Sequence, residues 1–370
     1  MEQPPLPQRS SVPARHRSRD LGIVIGTSAP GPLDVITDVP GVRVGHATVR
    51  REPDVHSGVT AVVPDRVGPH TPLAAGVFTG NGYGKLVGTT QLAELGALET
   101  PILLTSTLSA FRVADALVGW MLQRPGCEEV LSLNPVVGEC NDGLLSDIRS
   151  RPVREEHVRA ALDTASDGPV AEGCVGAGTG TVALGFKAGI GTASRVVDLG
   201  GHRFTAGVLV QANFGGTLRV LGRVITPRSL GVEGQAPDPG TGSCVIVVAT
   251  DAPLDARRLT RAARRAVFAL ARTGAAYSHG SGDYAVAFST AAPSTVPVAD
   301  AELGPLFEAV LDGVEEAVLN SLLAATTTTG FGGRTVPALP ADALLTALGA
   351  PPADTAPLTG HRAQPSVTTG

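Results

Sequence analysis

Runs of β-branched residues alternate with amphipathic stretches along this chain, and the two periods predict a layered α/β protein. SGVTAVVPD (57–65) and PILLT (101–105) read as buried strands. ITDVPGVRVGHATV (36–49), with its Pro-Gly pair, predicts a short hairpin. GVFTGNGYGKLVGTTQLAELG (76–96) passes from a Gly-rich turn into a helix, and ALVGWMLQ (116–123) closes another. EEHVRAALDTA (155–165) reads as a short amphipathic helix with acids at its start, where the helix dipole favours them. The middle is strand-rich, with GTVALGF, RVVDLG, FTAGVLVQANFG and LRVLGRVI in succession.

PRSLGVEGQAPDPGTG (227–242) then breaks the pattern; it has no periodicity and is the most linker-like internal stretch. Immediately after it, SCVIVVAT (243–250) is a continuous apolar run, as expected of a strand buried on both faces. Asp255 is placed to cap the helix ARRLTRAARRAVFALART (256–273). Leu259, Ala263, Val267 and Leu270 fall on one face of it. Arg257, Arg261, Arg264 and Arg265 lie largely opposite, which predicts a face turned to solvent or to another subunit. YAVAFST (284–290) is a strand and LFEAVLDGVEEAVLNSLLAAT (306–326) a long helix. Helices over buried sheets are the expected architecture. A single domain over 22–350 is expected, between a disordered extension (1–21) and a disordered tail (351–370).

Composition narrows the function. Charged residues are 17% of the 370 and the net charge is -5, so no concentrated basic face invites nucleic acid. Aromatics are 4%, too few for stacking platforms. No apolar run reaches the roughly 18–20 residues that span a bilayer, so no membrane partner is expected. The first residues lack a signal-peptide core, and a cytoplasmic protein is expected. Cys127, Cys140, Cys174 and Cys244 form no CxxC pair, and no HExxH is present. Buried free thiols are expected, and no His stands at metal-ligand spacing from them. GCVGAGTGTVALG (173–185) fails the GxGxxG spacing of a dinucleotide loop. Trp120 is expected in the core, and His279 near any site on the last strands only at its margin.

The sharpest chemical signal is Gly242 followed by Ser243 at the mouth of the buried strand. A serine hydroxyl needs a base, and one solution is the residue's own α-amine, freed by chain cleavage. With a pKa of about 7.7–8.0 that amine is partly neutral near pH 7. The Ser243 hydroxyl would attack the Gly242 carbonyl, giving an ester that water opens. A small residue before the serine lets the loop bend back, and a rigid strand after it fixes the nucleophile. The rest of the sequence leaves a plain turn open at this point.

ITDVPGVRVGH, SGVTAV, LETPILLTSTLS, VVGECNDG, GAGTGTVALGFKAGIGTASR, VLVQANFG, SCVIVVATDAPL, LARTG and HGSGDYAVAFST, in this order over about residues 34–338, resemble the family of L-aminopeptidase/D-esterases and β-peptidyl aminopeptidases. The resemblance implies a four-layer αββα sandwich related to ornithine acetyltransferase, self-cleavage before a serine, homo-oligomers of αβ units, and no metal or cofactor. Here the pieces would be 1–242 and 243–370. It implies Ser243 as nucleophile, Asn213 as oxyanion donor, and Ser281 and Asp283 as the pair that holds the freed amine. Glu139 would face the substrate's ammonium group. A tyrosine that characterised members carry in this last segment is missing from Glu139, Cys140, Asn141, Asp142, Gly143, Leu144; Asn141 could take its place as a donor.

The expected activity is hydrolysis of short peptides, amino-acid amides or esters with a free amine, through an acyl-Ser243 intermediate. Two other readings stand beside it. The acyl group could pass to an amine instead of water, as in an acyltransferase, or the chain could be an uncleaved binding relative.

Overall fold

The computed structural model describes residues 16–233, 241–292 and 298–349. In chain order its strands begin with β1 (Val42–Arg51), β2 (Val55–Pro64), β3 (Leu73–Gly82), β4 (Leu86–Val87), β5 (Ala97–Leu98), β6 (Ile102–Ser106) and β7 (Val136–Cys140). A short ribbon, β8 (Val182–Ala183) with β9 (Phe186–Lys187), precedes the long strands β10 (Ile190–Leu199) and β11 (His202–Asn213). A second ribbon, β12 (Arg219–Val220) with β13 (Arg223–Val224), leads on to β14 (Thr241–Thr250) and β15 (Gly280–Ser289), and a last one pairs β16 (Thr328–Thr329) with β17 (Thr335–Val336). The helices are α1 (Thr89–Glu94), α2 (Ala110–Leu122), α3 (Glu155–Asp163), α4 (Ala256–Thr273), α5 (Gly304–Leu323) and α6 (Ala341–Leu348).

Two sheets stack face to face, one ordered β1-β2-β6-β7-β4 and the other β10-β11-β14-β15-β3-β5. Val44, Val62 and Leu104 of the first meet Leu209, Val245, Val247 and Val286 of the second in a dry central layer. Val113, Leu117, Val158 and Ala161 of α2 and α3 cover the outer side of the first sheet. Leu259, Val267 and Leu270 of α4, with Val310, Val314 and Ala317 of α5, cover the outer side of the second. The result is the expected αββα order of layers. Burying both faces of β14 explains its unbroken apolar run: Ile246 and Val248 serve the helix side, Val245 and Val247 the sheet side.

Three elements differ from expectation. Residues 36–49 form no hairpin: Ile36–Asp38 is a single 3-10 turn, and the Pro40–Gly41 bend, with Gly41 at φ +78°, leads into β1 as one strand paired with β2. Order begins before Gly22. Ser18 is fully buried and donates its N–H to Asn320 Oδ1 at 2.8 Å, and Arg17 pairs with Glu172 at 2.8 Å. Trp120 only borders the core, and its indole N–H reaches Asp163 at 3.1 Å. Asp255 caps α4 as expected, accepting from Arg258 N–H at 2.8 Å. Residues 1–15, the 234–240 part of the linker-like stretch and the tail lie outside the described residues.

Candidate active site

The central strand of the second sheet carries Ser243 near its start. Antiparallel pairing with β11 sets Asn213 directly opposite Ser243. Parallel pairing with β15 sets Ser281 beside Gly242, Gly282 beside Ser243 and Asp283 beside Cys244. Five of the sequence-predicted residues, Asn213, Gly242, Ser243, Ser281 and Asp283, therefore meet at one end of three adjacent strands.

The faces differ. Ser243 shares the sheet-facing side with Val245, whereas Cys244 points into the helix-side core, as expected. Asp283 lies on the helix side too, its Cβ close to Gly80 where Val267 of α4 also packs. Ser281 donates to Asp283 Oδ1 at 2.9 Å. Asp283 Oδ2 is buried and has no hydrogen-bond partner among the described residues. Burial pushes the Asp283 carboxyl up to about 6, against the Ser281 hydrogen bond, which lowers it.

Asn213 is oriented by its carbonyl. Its Oδ1 accepts from Val182 N–H at 3.1 Å, which turns the Nδ2 donor the other way. Val182 belongs to the Gly-rich segment 173–185, which thus forms the site wall and carries no nucleotide-loop geometry. Gly242 is held against the chain leaving β11: a Cβ there would lie 2.7 Å from Phe214 Cα and 3.0 Å from Gly215 N. Only a residue without a side chain fits that approach.

The first sheet contributes from the other side. Cys140, at the end of β7, donates its thiol to Ser243 O at 3.4 Å and lies 3.5 Å from Gln211 O. Burial pushes the Cys140 thiol well up, so it stays a neutral donor. Glu139 is buried beside it. Its Oε1 accepts from Lys85 N–H at 2.9 Å and from Lys85 Nζ at 3.3 Å. Asn141 is exposed, and its Oδ1 accepts from Gly143 N–H at 2.9 Å, closing a local turn. No described hydrogen bond joins it to Ser243 or Asn213. His279 sits at the margin, its ring 6.3 Å from that of Tyr83.

Sequence reasoning missed Val182, Cys140 and Lys85. Val182 acts through its backbone, which leaves no residue-type signal. Lys85 stands in a Gly-rich turn, 54 residues before its partner Glu139.

Ser243, the Asn213 amide and the buried Ser281–Asp283 pair thus meet at one end of three strands within an αββα sandwich. Residues 34–336 match the model of peptidase family S58. The chain is 41% identical to a β-peptidyl aminopeptidase of Sphingosinicella microcystinivorans, over 88% of this chain and 89% of that one. A β-aminopeptidase of a Burkholderia species superposes with a TM-score of 0.83 at 41% identity, covering 90% of this chain and 98% of the other. The L-aminopeptidase D-Ala-esterase/amidase of Ochrobactrum anthropi, described as a variant of the Ntn hydrolase fold, gives 0.82 at 38% identity, with coverage of 90% and 98%. The chain belongs to peptidase family S58 and is an aminopeptidase of the serine type. Among the described residues, no helix is long and apolar enough to cross a membrane.

Proposed function

We propose that the chain cuts itself between Gly242 and Ser243 and then hydrolyses short peptides, amino-acid amides or esters that carry a free amine. In the first stage the Ser243 hydroxyl attacks the Gly242 carbonyl. The C–N bond breaks, an ester forms, and water releases Gly242 as a carboxylate. The new α-amine becomes the base for the Ser243 hydroxyl.

The observation that carries this reading is the unpartnered Oδ2 of Asp283, buried beside Ser281 next to the bond to be cut. A buried carboxylate oxygen without a partner is costly. Departure of Gly242 opens the position opposite Ser281, and the freed ammonium group can turn into it. The amine is then held from the helix side while the hydroxyl works on the sheet side.

In turnover, Ser243 Oγ attacks the substrate carbonyl and the α-amine takes its proton. Asn213 Nδ2 donates to the developing oxyanion. The α-amine returns the proton to the leaving amine, and water, deprotonated by the same group, opens the acyl-enzyme. Glu139 receives the substrate's ammonium group, with Lys85 engaging Oε1. The names of the S58 relatives support amine-bearing substrates. The four buried free cysteines fit a reducing, cytoplasmic setting.

Intact-mass measurement and N-terminal sequencing test this. Fragments 1–242 and 243–370, with Ser243 first in the smaller, are expected, and Ser243→Ala stays one inactive chain. An active but unbroken wild-type chain overturns the reading.

A further inference from the structure

Tyr284 lies between the two groups that the proposed reaction needs to hold at a fixed separation. It pairs with Val245 in the β14–β15 register, and alternates with Val286 and Phe288 on the sheet-facing side. Its side chain therefore stands on the face that bears Ser243.

The ring folds back toward the start of β15. A Cβ on Gly282 would lie 3.0 Å from Tyr284 Cε2. Gly282 is the cross-strand partner of Ser243. The ring thus occupies the space beside the nucleophile that a side chain at 282 would otherwise fill. On the same edge of the ring, a Cβ on Gly84 would lie 3.2 Å from both Tyr284 Cε2 and the Tyr284 hydroxyl, and 3.0 Å from Glu139 Oε1. Phenol and carboxylate converge on the same glycine.

Both ends of this span are anchored. Glu139 Oε1 is held by Lys85, whose Nζ also donates to Thr107 Oγ1 at 2.6 Å. Tyr284 is buried, and two glycines close on its ring. Burial pushes the Tyr284 hydroxyl up from its usual range, as does the charge of Glu139, so it stays neutral at working pH.

We propose that Tyr284 selects the number of carbons between the substrate's amine and its scissile carbonyl. This rests on the roles of Ser243 and Glu139 given above. A substrate with its ammonium on Glu139 and its carbonyl at Ser243 lays the intervening carbons over the Tyr284 ring. An α-amino acyl group has one such carbon and a β-amino acyl group two. The ring sets the available interval, and a smaller side chain lengthens it.

Glycine and β-alanine p-nitroanilides differ by that one methylene. The measurement is the ratio of their kcat/KM values, β over α, for the processed wild-type enzyme and for Tyr284→Leu. One methylene in a shaped pocket is worth about 10- to 200-fold. The ratio is expected to rise by at least about tenfold in Tyr284→Leu, and to stay near the wild-type value in Tyr284→Phe, which keeps the ring. If Tyr284→Leu fails to fold, Tyr284→Met, whose unbranched side chain adapts to irregular space, takes its place. An equal loss on both substrates, leaving the ratio unmoved, overturns the proposal while the reading of Ser243 stands. A wild-type enzyme that cleaves neither substrate, or cleaves their N-acetylated forms equally well, overturns both.

Discussion

Asn213 and Ser243 stand directly opposite each other on adjacent antiparallel strands. The amide's carbonyl is occupied by Val182 N–H, so what remains to face the nucleophile is a donor. Asn213→Asp separates the two jobs. It keeps an acceptor for Val182 but replaces the donor with a negative charge where the oxyanion develops. Losing one such donor costs about 10²–10³ in kcat. We expect at least that loss, with a melting temperature close to wild type. Asn213→Ala should be equally slow and also less stable by about 1–3 kcal/mol, because Val182 N–H is left buried without a partner. Kinetics and thermal melts on both variants check this, and unchanged turnover in Asn213→Asp would remove the residue from the oxyanion site.

Gly242 packs against backbone, which cannot swing aside as a side chain can. A Cβ at 2.7 Å from Phe214 Cα must push the strand start away from β11. Gly242→Ala should therefore misalign the bond with the Ser243 hydroxyl and accumulate as an unprocessed chain. The processed fraction, followed on denaturing gels, is the readout. Normal processing of this variant would show that the close approach is irrelevant to cleavage.

Much of this site was legible before the structure, for a physical reason. β14 is buried on both faces, so its sequence is a continuous apolar run, and a serine at its mouth stands out. Ser281 and Asp283 share a side because strands alternate with period 2, and their hydrogen bond bears that out. What could not be read was which face they share with respect to Ser243. That depends on the register of the parallel β14–β15 pair, which no local pattern encodes. The strand's true start was hidden as well. Thr241 and Gly242 have the composition of a linker, and it is pairing with Gly280 and Ser281 that makes them strand. The Pro-Gly pair before β1 misled in the opposite direction: it turns the chain into the sheet rather than between two strands. Lys85 and Glu139 meet only because β4 lies against β7.

The raised carboxyl of Asp283 makes a pH prediction for the unprocessed chain. Its folded pKa, about 6 against an ordinary 3.8, means the folded state prefers the neutral acid. Stability is then greatest below about pH 4 and is lost as pH rises toward 6, by up to about 3 kcal/mol for a shift of this size. In a Ser243→Ala background, Asp283→Asn removes that loss. It should melt higher than its parent at pH 7, and the difference should vanish below about pH 4. On the proposed mechanism the ammonium group freed by cleavage stabilises the charged form, so in a processed enzyme the same substitution should gain nothing at pH 7 and should lower activity. Melting curves from pH 3 to 8 decide this, and a difference that persists at pH 3 would assign the effect to something other than this carboxyl.

The proposed self-cleavage would put the helices that cover the second sheet, α4 and α5, in the smaller piece. Arg195 of β10 and Glu316 of α5 are both fully buried and paired across that divide. Arg19 from the N-terminal segment adds a second contact to Glu316 at 2.9 Å, and Asp34 lies 3.2 Å from Arg19. Burial alone would push the Glu316 carboxyl up, but Arg195 and Asp34 hold it below its usual range. Removing one partner of a buried pair costs up to about 3–5 kcal/mol, and without Arg195 only Arg19 is left to offset the Glu316 charge. Arg195→Met should lower the urea midpoint of the processed enzyme and let the two pieces separate at denaturant concentrations that leave the wild type intact. Size-exclusion chromatography with mass detection reads this directly. Replacing both partners, as Arg195→Met with Glu316→Leu, removes the stranded charge and should recover much of the loss, since apolar groups of similar volume often substitute for a buried ion pair without penalty. If the single variant keeps its pieces together as firmly as the wild type does, the pair is not what joins them, and the β11–β14 and β15–β3 strand pairing, with the packing of α5 on β10 and β11, carries the assembly.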